Sequence, residues 1–470
     1  MENKENNFYM GENTDVTEVT DENNEIDEHT HTHAHGHSHE HSRHGHHSHH
    51  SHRSSSKHRR SSNKNKKNKE KFKNFIQHNK KRLIYLAVAI IMIACLIVVG
   101  VMLDRKISFL EQEIDKTSGA LIASSANEIQ ISVPFFEEDV VIVGPAVDEF
   151  MKADSNVSVK DIYRKYASVS ERLDIGLPVE ISYEIKSLPK GFSVKNAEYI
   201  VADNAEFNSP IVFNTDGKTT KVDVFHLKTG TKYFYQINLT FNNDKEATVG
   251  GTFKTSYGPR VLTVSGVYNL RDIGGIKTSD GRTIKQGLLY RGCEIDGAVE
   301  KKYSITPEGL NTMLTVLGIK TDMDLRLPSD NKYGTDALGA GVKHEYYSSP
   351  MYANIFHGGE NAEKVRAIFS DLADPDNYPI YLHCTYGQDR TGTICYLLEC
   401  LLGVDEASMM KDYQLSGLHH GDVSSEAMSD FVDSVKALPG YTMTQKIEGW
   451  LLSIGVTQAE IDSIRDIFVD

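Results

Sequence analysis

Hydrophobic positions follow four patterns along the chain, and each pattern predicts a different kind of structure. Residues 1–82 have no apolar period, whereas 83–103 reads LIYLAVAIIMIACLIVVGVML without a charge. From about 128 to 257 apolar and β-branched residues alternate with polar ones, which is typical of strands. From 258 onward short apolar runs alternate with amphipathic helical segments. The predicted fold class is therefore multidomain: an α/β domain preceded by a β-sandwich and a single transmembrane helix.

The pattern changes divide the chain into five predicted segments. They are a disordered, His-rich and basic tail over 1–82, a transmembrane helix over 83–103, a stalk and linker over 104–171, a β-sandwich over 172–257 and an α/β domain over 258–470. As a helix, the 21 residues of the second segment would be roughly 31 Å long, enough to cross the hydrocarbon core of a bilayer.

Charge next to the apolar segment predicts its orientation. Residues 57–82 hold twelve Lys and Arg against one acidic residue, Glu70, and such basic flanks stay on the cytoplasmic side. We therefore expect a single-pass protein of the cell membrane, in contact with the lipid bilayer. Its N-terminus would be cytoplasmic and its C-terminal domains extracytoplasmic.

The strand-rich segment has the pattern of a small β-sandwich. The runs VEISYEI, AEYIVAD and KYFYQINLTF alternate or are rich in aromatic and β-branched residues, and turn signals such as TDGK separate the strands. Residues 172–257 resemble a fibronectin type III domain, with LKTGTKYFYQI at the penultimate strand. The role expected of this domain is that of a spacer.

Charge distribution and histidine content bear on the partners of the chain. Residues 1–82 carry 15 Lys and Arg against 12 acidic residues, which leaves 36 against 53 in the rest. This acidic body argues against nucleic acid as a partner. Fourteen histidines lie between 29 and 58, so the tail is either a solvated tail or a weak binder of transition metals. The candidate weak sites are His31, His33, His35 and His37.

The candidate chemistry lies in YPIYLHCTYGQDRTGTICYLLECLLG, which begins at Tyr378. An apolar strand ends at Cys384, and a long helix begins near Arg390. The backbone N–H groups of residues 385–390 should point into one concave space at the positive end of that helix, where a tetrahedral oxyanion binds. Gly387 permits the turn, and Arg390 offers a two-pronged donor for phosphate oxygens. The same positive field favours the thiolate of Cys384 as a nucleophile.

The loop HCTYGQDRTG resembles the HCxxGKDRTG loop of a bacterial branch of the cysteine-dependent tyrosine phosphatases. NLRDIGG, DGR, GLLYRG, DLR and DYQLSG resemble further motifs of that branch, in the same order, and cover most of 258–470. The resemblance implies that Cys384 attacks phosphorus, that Arg390 and the loop amides hold the phosphate, and that no cofactor and no metal are needed in the catalytic domain. The implied phosphate-binding residues are Thr385, Tyr386, Gly387, Gln388, Asp389 and Arg390.

The resemblance also assigns supporting roles. Thr391 would donate a hydrogen bond to the sulfur of Cys384, and His383 would shape the loop. The general acid is either Asp389, in the loop, or Asp324, in the DLR motif. Asp389 is favoured, although it could instead brace the loop and Asp324 could form a structural ion pair.

Two departures from the family loop bear on the substrate. Gln388 replaces a lysine that would help to bind polyanions, and Tyr386 replaces a small residue. The loss of the lysine, with the acidic body, favours phosphotyrosine or another phosphomonoester, and Tyr386 could narrow the mouth of the site or stack on an aromatic ring. With the apolar segment, the expected function is that of a membrane-anchored phosphatase for phosphotyrosine, with dual specificity left open. The alternatives are a phosphoinositide or inositol-phosphate phosphatase and a non-catalytic surface module that recognises phosphate.

Overall fold

The computed structural model describes residues 69–71, 73, 129–154, 157–330 and 336–469. Residues 69–71 and 73 are helical, and the rest of the tail, the predicted transmembrane segment and the first part of the predicted stalk lie outside the described residues. Within the described ranges, no helix is both long and apolar enough to cross a membrane. The described residues from 129 onward belong to one compact unit.

The first half of this unit is built from antiparallel strands. A four-stranded sheet has the order β5-β4-β7-β8, and two pairs of strands, β2-β6 and β1-β3, lie beside it. The strands are β1 (Gln130–Ser132), β2 (Val179–Ser182), β3 (Glu184–Ser187), β4 (Val194–Ala202), β5 (Ile211–Asp216), β6 (Lys221–Val224), β7 (Lys232–Phe241) and β8 (Glu246–Lys254).

Strict alternation explains how this half folds. Along KYFYQINLTF in β7, every second side chain is buried, because successive side chains of a strand point to opposite faces. The buried face, with Tyr235 and Ile237, packs into one core with Ile181 of β2 and Val224 of β6. Two layers of strands thus share one core, as a sandwich requires. The more specific likeness to a fibronectin type III domain stays a prediction.

The segment before this sandwich differs from the predicted stalk and linker. Strand β1 pairs with β3, and two short helices follow, α1 (Pro145–Lys152) and α2 (Val159–Tyr166). Their apolar faces, which include Phe150 and Ile162, pack with Leu415 and Leu418 of the C-terminal half. The described part of 104–171 is therefore built into the body of the protein. The amphipathic pattern of these helices is visible in the sequence, but their packing partner is not.

The second half contains a six-stranded sheet with the order β13-β12-β14-β11-β10-β9. Strands β13, β12, β14 and β11 are parallel, and β10 and β9 continue the sheet antiparallel. The strands are β9 (Arg260–Val261), β10 (Arg271–Asp272), β11 (Leu289–Gly292), β12 (Thr321–Asp324), β13 (Lys343–Tyr346) and β14 (Ile380–His383).

Helices surround this sheet, as the α/β pattern predicted. The α-helices are α3 (Pro307–Asn311), α4 (Gly359–Leu372), α5 (Asp389–Leu401), α6 (Glu406–Leu415), α7 (Gly417–His420), α8 (Ser425–Ala437), α9 (Met443–Ser453) and α10 (Gln458–Phe468). Single turns of other helix types cover Thr312–Val316, Tyr352–Phe356 and Pro375–Asn377.

Each face of the sheet has its own core, and the central strand β14 contributes to both. Ile380 and Leu382 belong to the larger core, which holds α4, α5 and α8 to α10. Tyr381 belongs to the smaller core on the other face. Because both faces are covered, all four residues of β14 are buried. The loop after β14 therefore emerges at the carboxyl edge of the parallel strands, where open α/β sheets bind their ligands.

Candidate active site

The loop after β14 carries the predicted nucleophile. Strand β14 ends at His383 and α5 begins at Asp389, each one residue earlier than the sequence predicted, so residues 384–388 form the whole connection. Cys384 lies at its base and is only 2% exposed. The thiol thus lies at the bottom of the loop, close to the N-terminus of a thirteen-residue helix.

Gly387 has the conformation for which a glycine was expected. Its φ is +64°, a left-handed value that side chains disfavour. A Cβ atom at this position would lie 2.3 Å from the carbonyl oxygen of Gly292 on β11. The loop can therefore pass this close to β11 only with glycine at this position.

Two carbonyl groups of the loop are held from outside. The Asn269 side chain donates a hydrogen bond from Nδ2 to the oxygen of Tyr386 (3.1 Å). The Arg291 guanidinium donates from Nη2 to the oxygen of Gly387 (3.0 Å). Since a peptide carbonyl and its N–H point in opposite directions, holding these oxygens on the outer side turns N–H groups toward the inner side of the loop.

The inner side of the loop is rich in unused donors. No backbone N–H of residues 386–390 donates a hydrogen bond to another described residue. The hydroxyls of Thr385 and Thr391 are buried and also lack a partner within the described ranges. The predicted hydrogen bond from Thr391 to the sulfur of Cys384 is therefore not formed in this structure. Buried donors without partners carry a free-energy cost, which a bound oxyanion would relieve.

A buried ion-pair network supports the loop from behind. Asp412 on α6 accepts from Nε of Arg271 (2.7 Å) and from Nη1 of Arg291. Burial opposes ionisation of Asp412, but the two guanidinium groups hold its pKa below the ordinary value. These three residues come from the motifs NLRDIGG, GLLYRG and DYQLSG. The sequence flagged the motifs, and the structure gives their task, which is to fix Arg291 where it holds Gly387.

His383 has a structural position, as the resemblance implied. Its Nε2 lies 3.0 Å from Oδ1 of Asp322 on β12, at ion-pair distance but without hydrogen-bond geometry. Burial lowers the pKa of His383, yet the Asp322 carboxylate outweighs that effect and raises it to about 9. The ring stacks on Tyr381 with centroids 5.3 Å apart. His383 thus joins β14 to β12 beneath the loop.

Arg390 reaches a partner that sequence reasoning missed. Its Nη1 donates to Oδ2 of Asp330 at 2.8 Å, and both side chains are partly exposed. Asp330 follows the DLR motif by four residues, in a loop with no periodic pattern, so only its distance from the motif could have drawn attention to it. A phosphate bound by Arg390 would compete with this carboxylate.

The two candidate acids have different surroundings. Asp389 is partly exposed and accepts hydrogen bonds from the hydroxyl of Tyr352 and from Nε2 of Gln388 (3.2 Å). Asp324 is 0% exposed, and both of its oxygens accept from Arg326. An acid must reach the leaving oxygen of the substrate. The geometry therefore favours Asp389, and Asp324 has the structural ion pair that was its alternative role.

An open cleft of about 370 Å³ leads to the loop. Its lining residues are Tyr386, Gln388, Asp389, His420, Asp422, Val423 and Ser424. The Tyr386 side chain is 37% exposed at the rim, whereas Gln388 is 8% exposed. A second cleft, of about 360 Å³, lies between Met151 and Lys411 and has no residue of the loop in its lining. The first cleft therefore lies beside the loop, at Tyr386, Gln388 and Asp389.

One support of the loop comes from outside the α/β domain. Asp174, which precedes β2, accepts from the backbone N–H of Asn269 at 2.6 Å. Burial alone would raise the pKa of Asp174, but its interactions with His419 and Arg172 outweigh that effect and lower the pKa to about 2. Asn269 in turn holds Tyr386. Nothing in the sequence pattern marked Asp174, because it lies 95 residues before its partner.

The four histidines named as weak metal sites lie outside the described residues.

Comparison with known proteins bears on this loop and its motifs. Residues 262–470 match the tyrosine phosphatase family. A tyrosine-protein phosphatase of Nostoc commune is 23% identical over 197 residues, a match that covers 32% of this chain and 67% of that protein. A relative from Cupriavidus necator is also 23% identical over 197 residues, covering 37% of this chain and 68% of the relative. These matches support a tyrosine phosphatase family domain over residues 262–470, and with it a hydrolase that acts on phosphate esters.

One solved structure has a limited likeness. The core catalytic domain of the PP-IP phosphatase SIW14 from S. cerevisiae, in complex with citrate, matches with 15% identity and a TM-score of 0.20. The match covers 33% of this chain and 94% of that one. With a TM-score this low, the match says nothing about the function of this chain.

Proposed function

We propose that this chain is a protein-tyrosine phosphatase that works through a cysteinyl-phosphate intermediate on Cys384. The observation that carries the proposal is the loop 384–390, with a buried thiol at its base and unused donors around it. Asn269 and Arg291 hold the loop carbonyls at 3.1 Å and 3.0 Å. A site prepared in this way can stabilise the charge that develops on phosphate oxygens in the transition state.

In the first step, the Cys384 thiolate attacks phosphorus and an S–P bond forms while the bond to the leaving oxygen breaks. Arg390 and the amides of 385–390 bind the three equatorial oxygens. To do so, the Arg390 guanidinium releases its hydrogen bond to the Asp330 carboxylate and donates to the phosphate oxygens instead. Asp389 gives a proton to the leaving phenolic oxygen.

In the second step, water attacks the phosphorus of the intermediate and the S–P bond breaks. The Asp389 carboxylate takes a proton from this water, so the proton lost in the first step is recovered. Cys384 leaves as a thiolate and inorganic phosphate is released. No metal takes part in either step.

Residues at the mouth of the cleft support an aromatic phosphomonoester as substrate. Tyr386 is exposed at the rim, where its ring could stack on a phenyl ring. Gln388 lines the cleft and stands in place of a lysine, whose charge would attract the additional phosphates of a polyanion. A phosphoinositide gains no such attraction there, so phosphotyrosine is the better supported substrate.

The membrane anchor is proposed on the sequence alone. The uncharged segment 83–103 and the basic run before it support a single-pass protein with the phosphatase domain outside the cytoplasm. Protease treatment of intact cells should then remove the C-terminal domain, and its full protection would contradict this orientation.

The activity is tested by phosphate release from a phosphotyrosine peptide. The full chain is purified in detergent, reduced and treated with a chelator, and it is compared with Cys384→Ser. We expect turnover in the wild-type chain and none in the variant. Phosphoinositides are measured in parallel, and faster turnover on them would favour the alternative substrate. Absence of turnover on both, with phosphate still bound, would favour a non-catalytic phosphate-recognising module.

A further inference from the structure

A cluster of metal-binding side chains lies beside the loop, and the mechanism above does not use it. The Sγ atom of Cys293 and one ring nitrogen each of His419 and His420 lie within 4.8 Å of one another. Cys293 is fully buried just after β11, and the two histidines are half-buried at the end of α7.

The donor set matches one class of metal. A thiolate with two imidazoles is typical of Zn²⁺ sites and of related soft transition metals, whereas Mg²⁺ and Ca²⁺ prefer oxygen. Zinc bonds of about 2.3 Å to sulfur and about 2.0 Å to nitrogen keep the donors of one ion within roughly 4 Å of each other. The cluster must therefore contract by about 1 Å around an ion, on the scale of small side-chain rotations.

His419 is already oriented in the manner of a metal ligand. Its Nδ1 lies 3.4 Å from the carboxylate of Asp174, and its Nε2 lies 3.0 Å from the hydroxyl of Tyr303. Metal-bound histidines commonly give their second nitrogen to such a carboxylate, which fixes the ring and the tautomer. With Nδ1 directed at Asp174, Nε2 is the nitrogen that would bind an ion, and the Tyr303 hydroxyl would yield its place.

The cluster is also joined to the phosphate loop. The carbonyl oxygen of Tyr386 accepts from Sγ of Cys293 (3.2 Å) and from Nε2 of His420 (2.9 Å). It accepts from Asn269 as well. Two of the three groups that hold this loop carbonyl are thus members of the donor cluster.

We propose that Cys293, His419 and His420 form a binding site for Zn²⁺ or a similar transition metal, and that occupancy of this site weakens phosphate binding by the loop. The Cys293 thiol gives its proton to solvent when the metal–sulfur bond forms. His420 turns Nε2 from the carbonyl to the metal. The carbonyl oxygen of Tyr386 then keeps only the hydrogen bond from Asn269, and the loop is held less firmly in its geometry. The site departs from the expectation of no metal in the catalytic domain.

The metal site is tested with Co²⁺, whose bond to a thiolate gives a charge-transfer absorption in the near ultraviolet. The full chain carries Cys384→Ser, so the catalytic thiol cannot contribute. The first cysteine of the chain is Cys95, so the His-rich tail over 1–82 has no thiolate and cannot give this band. We expect the band to saturate at the intensity of one thiolate-bound Co²⁺ per chain, because Co²⁺ bound by tail histidines gives no such band, and to be lost when Cys293→Ser is added.

His420→Gln, in the same background, is the second variant, because it changes a half-buried ring and keeps the thiol. We expect Co²⁺ binding to weaken at least about tenfold, since even outer partners of metal ligands contribute about 10–100-fold to affinity. A band that is absent from the Cys384→Ser chain, or that survives Cys293→Ser, would overturn the metal site.

The link to catalysis rests on the proposed function and is measured separately. Phosphate release by the chain with the catalytic cysteine is followed at increasing free Zn²⁺. We expect inhibition in the wild type, and His420→Gln should need at least about tenfold more Zn²⁺ for half inhibition. Equal inhibition of both would overturn the link to the loop. The cobalt measurement needs no turnover, so failure of the proposed activity and failure of the metal site give different results.

Discussion

Asn269 connects the loop to the rest of the molecule through a single side chain. Its Nδ2 donates to Tyr386 O and to the hydroxyl of Ser416, both at 3.1 Å. Its backbone N–H is held by Asp174. Asn269 is 2% exposed, so no solvent can replace these bonds. The side chain therefore fixes the direction of a loop carbonyl without touching the substrate.

Asn269→Ala should lower kcat/KM about tenfold to a hundredfold, because losing a hydrogen bond to a buried group costs about 1–3 kcal/mol. Steady-state phosphate release measures the effect. Asn214→Ala, at an exposed position of β5, is the matched control and should leave kcat/KM unchanged. Equal kinetics for Asn269→Ala and the wild type would contradict the role given to Asn269.

Asp389→Asn should lower kcat about 10²–10⁴-fold on phenyl phosphate, because a general acid contributes about that factor. The loss should be smaller on an aryl phosphate with a good leaving group, which needs no protonation. Asp324→Asn should instead lower the unfolding midpoint, because Arg326 loses a buried partner. An equal loss on both substrates for Asp389→Asn would argue that Asp389 only braces the loop.

At the scale of the element, α5 combines the site with the centre of the core. Every residue from Thr391 to Leu401 is buried, because the helix leaves the loop and runs straight into the larger core. Glu399 lies on this helix, 1% exposed, and neither of its carboxylate oxygens has a hydrogen-bond partner among the described residues. Burial and the nearby Asp412 raise its pKa well above the ordinary value.

Glu399 should make stability depend on pH. A folded-state pKa above the unfolded one means that the folded chain holds a proton that the unfolded chain releases. The free energy of unfolding therefore falls as pH rises above about 4.3 toward the raised pKa. Glu399→Gln should remove this decrease, so the variant gains stability relative to the wild type as pH rises. Urea unfolding at acidic and neutral pH measures it, and parallel pH profiles would contradict the prediction.

At the scale of the whole molecule, the segment before the sandwich packs into the same body as the α/β domain. Phe150 on α1 is 1% exposed, and its carbonyl oxygen accepts from Nζ of Lys411 on α6 at 3.0 Å. Asp174 reaches the phosphate loop through Asn269. The family match begins only at 262, so this support lies outside the part of the chain that resembles known phosphatases.

Phe150→Ala should therefore destabilise the phosphatase domain itself. Emptying a buried aromatic site costs about 3–5 kcal/mol. The chain has one tryptophan, Trp450 on α9, whose fluorescence reports unfolding of the phosphatase domain. We expect its urea midpoint to fall in Phe150→Ala and to stay in place in Phe225→Ala, where the ring is 38% exposed. An unchanged midpoint in Phe150→Ala would mean that the two parts unfold independently.

Features that depend on neighbouring residues could be predicted from the sequence, whereas features that depend on the packing of the whole molecule could not. The strand, loop and helix around Cys384 follow from local pattern, since a buried apolar run, a glycine and a second apolar run lie next to each other. Gly387 was predictable for that reason. Asp174 and Asp330 were not, because their partners are chosen by tertiary packing. Nor could the sequence show that Leu415 and Leu418 would cover the apolar faces of α1 and α2.

Trapping the covalent intermediate on Cys384 is the decisive test of the proposed mechanism. The full chain is mixed with a phosphotyrosine peptide, quenched within the first turnover and digested, and the fragment containing Cys384 is weighed by mass spectrometry. We expect one phosphate on Cys384, absent from Cys384→Ser. On an aryl phosphate with a good leaving group, which needs no acid in the first step, the intermediate should accumulate in Asp389→Asn because its hydrolysis is slowed. Turnover that continues in Cys384→Ser, or phosphate found only on another residue, would contradict it.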